Sequence, residues 1–131
     1  RFPIFEQLFS GRFRGGVSYT AMANGAFQGL ASDAAKTAVW LITKACYVDQ
    51  SSVLFGSRIP VFVHDEFGAE VPLEQAHECA HELARLMYAG AAPWLPDVPP
   101  VVGKPVLMKH WSKKAKAVYN NGKLVPWEPK K

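Results

Sequence analysis

Ile59-Pro60-Val61-Phe62-Val63-His64-Asp65-Glu66-Phe67-Gly68-Ala69-Glu70-Val71 is the stretch on which the reading of this chain turns. Ile59 to Val63 is a short apolar run rich in β-branched residues, and Phe67 to Val71 is a second one. Two such runs separated by a few polar residues predict a β-hairpin, with His64-Asp65-Glu66 at or near its tip. Adjacent carboxylates at a tip repel each other, and a bound cation would relieve that repulsion. A hard divalent ion such as Mg²⁺ accepts one or two carboxylates together with phosphate and water oxygens. Phosphoryl-transfer sites use this layout, with two metals about 3.5–4 Å apart. Taken alone, the same residues also suit a plain acidic turn in water.

On the N-terminal side, Ala21 to Tyr47 is rich in Ala, Leu, Lys, Met and Gln. Leu30, Ala34, Ala38, Leu41 and Ala45 recur at helical spacing, with Ser18 and Thr20 as candidate caps and Gly25 and Gly29 as weak points. Residues 1–16 form an aromatic, basic lead-in loop ending in Gly15-Gly16. On the C-terminal side, Pro72 closes the second strand and can open a helix. Leu73, Ala76, Ala80, Leu83, Ala84 and Met87 form the apolar stripe of that helix, opposite Glu74, Glu78, Glu82 and Arg85, and Gly90 is its expected terminator. Five prolines between 93 and 105 predict a loop. A last strand is expected through Pro105 to Met108, and Asn121-Gly122 predicts a small hairpin ending near Trp127. The fold class is therefore α+β.

A length of 131 residues limits the chain to one domain or part of one. No run of 18 uncharged apolar residues occurs, so no transmembrane helix is expected. Two cysteines, Cys46 and Cys79, argue against a disulfide-stapled secreted scaffold and favour a reduced, cytoplasmic setting. A first residue Arg1 with no leader pattern suggests a fragment or processed product. The net charge of +4 is unevenly placed. Residues 1–60 carry six basic and three acidic side chains, residues 61–102 one and seven, and residues 103–131 eight and one. Basic flanks around an acidic middle suit a protein that touches a polyanion and also holds a cation. A solvated lysine tail gives the same charge pattern.

One further motif competes. His77-Glu78-Cys79-Ala80-His81 is a literal H-E-x-x-H, in which two imidazoles one helical turn apart hold zinc and the Glu serves as base. A third ligand is missing at the usual places. Ala84 and Met87 stand where one extension needs Gly and His, and Glu128 is the only Glu after Glu82. His77 lies at the edge of the apolar stripe and His81 on the outer face, as in a solvated helix rich in Glu and His.

Val63-His64-Asp65-Glu66 followed by Glu70-Val71 resembles motif C of the family A DNA polymerases, the DNA polymerase I type. Asn24-Gly25-Ala26-Phe27-Gln28-Gly29-Leu30-Ala31-Ser32-Asp33-Ala34-Ala35-Lys36 resembles the helix that precedes motif C in that family, and the two blocks stand in the family's order and spacing. The resemblance covers roughly residues 15–118. The Gly15-Gly16-Val17-Ser18-Tyr19-Thr20 lead-in and the tail to Trp127 look more like bacteriophage members, which would place the protein in the host-cell cytoplasm.

The resemblance implies that the chain is the C-terminal part of an antiparallel polymerase palm made of helix, hairpin, helix and final strand, with 119–131 as a basic extension. Asp65 matches the aspartate that binds the catalytic Mg²⁺ ions, Glu66 its neighbouring acid, and His64 the residue packed near the primer terminus. Asn24 and Gln28 match residues that touch the DNA minor groove and primer strand. Their spacing of four puts both amides on one helix face, and amides can donate to the N3 and O2 acceptors that every base pair presents in the minor groove. Thr20 stands where many relatives carry a basic residue, with Arg12 or Arg14 as substitutes toward the DNA backbone. The family's motif A, with the second metal-binding aspartate, and motif B, which grips the nucleotide, are not in this sequence. The implied partners are primer-template DNA, a deoxynucleoside triphosphate and the upstream part of the polymerase, whether in the same chain or as a separate subunit. Without that part the chain should be inactive. A zinc metallopeptidase using His77, Glu78 and His81, and a non-catalytic basic DNA-binding module, remain as rivals.

Overall fold

The computed structural model describes residues 4–129, and its frame is two helices crossing at close range. Helix α1 (Tyr19–Tyr47) begins where Ser18 takes an extended backbone and its Oγ accepts a hydrogen bond from the Ala21 amide. That hydroxyl satisfies one of the orphan donors of the first turn. Helix α2 (Ala76–Ala91) follows a single 3-10 turn (Leu73–Gln75). The two pack so tightly at Ala38 and Gly90 that a Cβ on Gly90 would lie 2.5 Å from the Ala38 backbone. Gly90 was expected to terminate α2. Instead the helix runs on to Ala91, and the glycine is there to let the backbones approach.

The core fills the C-terminal half of this crossing. Ile42, Ala45, Cys46, Leu54, Cys79 and Leu86 are buried together, and Ile59, Phe67, Val71, Leu83 and Met87 pack against them. Cys79 Sγ donates to the Val53 carbonyl at 3.3 Å. Of the stripe expected on α2, Ala76 and Ala80 are buried, Leu83, Ala84 and Met87 are half-buried, and Leu73 lies outside the helix and exposed, while Cys79 and Leu86, outside that stripe, are buried.

Strands β3 (Arg58–Val63) and β4 (Glu66–Glu70) form the expected antiparallel hairpin, and Ile59 and Phe67 plant it on the helical core. The register slips between Arg58 and Val61. Pro60 lies in that interval and cannot donate to a ladder, which accounts for a bulge there. The lead-in is more ordered than a loop. Strands β1 (Phe5–Glu6) and β2 (Phe13–Arg14) pair and lie against α1. Gln7 Nε2 donates to the Ala26 carbonyl at 3.0 Å, and Arg12 pairs with buried Asp33. A Cβ on Gly29 would fall 1.9 Å from Gln7 Oε1. Gly29, expected to weaken the helix, is the socket for Gln7.

At the C-terminal end, β5 (Val118–Asn120) and β6 (Lys123–Val125) pair across Asn121-Gly122, both at positive φ (48° and 78°), as the Asn-Gly signal predicts. The strand expected through Pro105 to Met108 does not form. Met108 makes one isolated parallel bridge to Trp127, and the segment joins neither hairpin. Pro105 removes one ladder donor there. The fold is thus α+β, with three separate two-stranded antiparallel sheets among the described residues. No helix among the described residues is long and apolar enough to cross a membrane.

Candidate functional site

The β3–β4 turn has two residues, because Val63 pairs directly with Glu66. Such a turn needs a positive φ at its first position, and His64 supplies it at 57°. A non-glycine residue there is uncommon, and an aromatic five-membered ring is one of the better-tolerated choices. Below the turn, the Phe62 and Phe67 rings, on paired residues, meet at a tilt across the strands with centroids 4.6 Å apart. Val61 to Glu66 are all exposed.

The tip leans toward the N-terminal half of α1. Gln28, Ala31, Ser32, Ala35 and Lys36 on the helix, and Phe62, His64 and Asp65 on the hairpin, line one open cleft of about 380 Å³. Gln28, His64 and Asp65 therefore share one surface, although nearly forty residues separate them in sequence. Asn24 lies one turn before Gln28, exposed on the same helix face and beyond the cleft lining. Glu66 is exposed at the start of β4, also outside the lining. Arg12 is engaged by Asp33, while Arg14 is exposed.

Two features of the cleft were not singled out from sequence. Lys36 brings a cation to the cleft that Asp65 lines from the other element, and the small Ala31 and Ala35 line it from the helix. Their signal was present, since Gln28, Ser32 and Lys36 recur at intervals of four with small residues between them. None of the ion pairs among the described residues uses Asp65, Glu66 or Lys36.

As for metal, no three His, Cys, Asp or Glu side chains among the described residues group closely enough to hold an ion. The tip offers two neighbouring carboxylates, so a complete Mg²⁺ site there requires oxygen ligands from another segment, DNA or nucleotide. The H-E-x-x-H string fares differently. Nδ1 of His77 accepts the Leu124 amide at 2.8 Å. That bond places the imidazole proton on Nε2, which then has no lone pair for zinc. The ring of His81 meets that of His77 edge-on at 4.6 Å. His77 holds the C-terminal hairpin to α2.

A second cleft, about 450 Å³, lies between the end of α1 and α2 and is lined by Lys44, Asp49, Ser51, Glu82 and Arg85 among others. Its charged groups largely satisfy one another. Arg85 forks onto Glu82 with two bonds of 2.7 Å. Hydrogen bonds from Ser51 hold the Asp49 carboxyl below its ordinary range.

Compared with protein-family models, with characterised proteins and with solved structures, the chain matches none.

Proposed function

We propose that residues 1–131 form the C-terminal palm portion of a family A DNA-directed DNA polymerase, with the β3–β4 tip as its motif C. The observation that carries this reading is the cleft in which Gln28, His64 and Asp65 meet. Gln28, His64 and Asp65, which the resemblance assigns to minor groove, primer end and metal, line one cleft between helix and hairpin, and Asn24 lies one helical turn beyond it. Two more features support it. The tip carboxylates have no ion-pair partner among the described residues. Val61, Phe62 and Val63 stay exposed along β3, which pairs only with β4 among the described residues. An exposed apolar strand with a free edge is suited to joining a wider sheet.

In this reading Asp65 contributes carboxylate oxygens to Mg²⁺ together with an aspartate from the upstream part of the enzyme. When bound, the ions favour ionisation of the primer 3′-hydroxyl and neutralise charge on the departing pyrophosphate. The hairpin carries Asp65 in its two-residue turn, above the Phe62–Phe67 pair. His64, at the first position of the turn, abuts the primer terminus. Gln28 donates to a minor-groove acceptor of the terminal pair, a contact that senses pair geometry without reading sequence. Lys36 lies where it can meet a backbone phosphate.

The test is Mg²⁺-dependent primer extension by the assembled enzyme, with this chain joined to or mixed with the polypeptide that supplies the other aspartate. Asp65→Asn should slow extension on the order of a thousandfold, the scale of losing several kcal/mol of metal-borne charge stabilisation. It should leave the unfolding free energy within about 0.5 kcal/mol of wild type, as expected for an exposed side chain. Extension at near wild-type rate would refute the assignment.

A further inference from the structure

Residues 103–131 carry most of the chain's positive charge, yet residues 105–127 are not a loose tail. The Trp127 amide donates to the Leu107 carbonyl at 2.7 Å, Lys109 pairs with Glu128 at 2.9 Å, and Leu124 is buried with its amide on His77. Within this anchored segment, residues 112–115 form a turn. Ala115 N donates to the Ser112 carbonyl, Lys114 N to Ser112 Oγ, and Ser112 N meets Met108 Sδ. The turn projects Lys113 and Lys114 into solvent beside Trp111, which is 69% exposed. Lys113 Nζ lies 6.0 Å from the centre of the Trp111 ring. Lys116 and Tyr119, both exposed, follow. No ion pair among the described residues uses Lys113, Lys114 or Lys116.

An indole left open to water on an anchored segment forgoes the largest apolar burial available to any side chain. Exposed rings between cations have a recognised use. A single-stranded nucleic acid stacks its bases on the rings while lysines follow its phosphates. A duplex cannot use the rings in this way, because its base faces are already stacked. An anionic membrane surface would also attract lysines and Trp, but membrane-surface binding of that kind uses an amphipathic helix, and residues 104–117 form none.

We infer that Trp111, Lys113, Lys114, Lys116 and Tyr119 form a binding surface for single-stranded nucleic acid, separate from the hairpin-tip cleft. It uses no residue of the β3–β4 tip, so its success or failure is distinguishable from that of the polymerase reading.

The test is fluorescence anisotropy with a labelled twelve-nucleotide oligo-dT, the intact chain and a salt series. Trp111→Ala should weaken binding about tenfold, within the range for loss of one stacked base, and Trp111→Phe should restore most of it. Replacing Lys113, Lys114 and Lys116 together by Ala should lower the slope of log affinity against log salt by about 2, from about 0.7 per phosphate contact on a single strand. All these side chains are exposed, so circular dichroism should be unchanged. Affinities within twofold of wild type in both variants would overturn the inference. So would a preference for a blunt duplex of the same length, or binding to phosphatidylserine vesicles without binding to oligo-dT.

Discussion

The helix crossing at Ala38 and Gly90 and the hairpin tip at His64 and Asp65 are built in opposite ways. At the crossing, Ala38 and Gly90 are buried, and even a methyl group on Gly90 would meet backbone at 2.5 Å. At the tip, six successive residues are exposed, and none of the described ion pairs involves Asp65 or Glu66. Packing at the first region explains why the residues there are small. At the second, the positive φ of the turn accommodates the histidine, but nothing in the fold explains why two acids follow it. Side chains that the fold does not use, held on a strand pair that the core does fix, are where binding or chemistry should be sought.

The contrast can be broken by substitution. Gly90→Val should cost the most stability, about 3 kcal/mol in urea unfolding, because the helices must separate to admit the side chain. If it cost no more than Asp65→Asn does, the two regions would not differ as described. Gly29→Ala tests an intermediate case. Its new Cβ meets only the flexible end of Gln7, so Gln7 can swing away at the loss of one hydrogen bond, about 1 kcal/mol, largely offset by the better helix propensity of Ala. Global stability should therefore change little. The Gln7 amide, now bonded to the Arg12 carbonyl at 2.8 Å, should lose protection in hydrogen exchange as β1–β2 lifts from α1.

The smallest effect concerns the core thiols. Burial pushes the Cys46 thiol up, with a further push from Cys79, and burial likewise raises Cys79, with Glu78 adding to it. The folded state therefore holds protons that the unfolded chain has already released once the pH passes the ordinary thiol range of about 8.5. Stability should be fully present below that range and fall as pH rises through it toward the raised folded values. Urea midpoints between about pH 8 and pH 10 measure this, and Cys46→Ala with Cys79→Ala should flatten the curve. A midpoint that rose with pH in the wild type would contradict the burial of the pair.

Local signals carried much of the fold. The 3.6-residue spacing of Ala34, Ala38 and Ala45 gave α1, the two β-branched runs around His64-Asp65 gave the hairpin, and Asn121-Gly122 gave the last turn. What failed was every feature whose meaning depends on a distant partner. Gly29 and Gly90 look the same in sequence as a helix weak point or a stop. They are sockets for Gln7 and for the Ala38 backbone. His77 reads as part of a solvated helix face, with zinc as a rival, but it is half-buried and a hairpin amide 47 residues away occupies its Nδ1. The expected strand through Pro105 to Met108 has its apolar residues, but among the described residues its pairing stops at one isolated bridge, Met108 to Trp127.

The sequence by itself determined which segments are helical, where the chain turns, and that a histidine and two acids stand at a hairpin tip. Those features depend on residues within a few positions of one another, and backbone geometry follows from such neighbours. Only the tertiary structure decided that the tip meets Gln28 and Lys36 across one cleft, and that His77 is bound to the C-terminal hairpin. Both depend on how two helices approach, and that distance is set by atoms far apart in the chain.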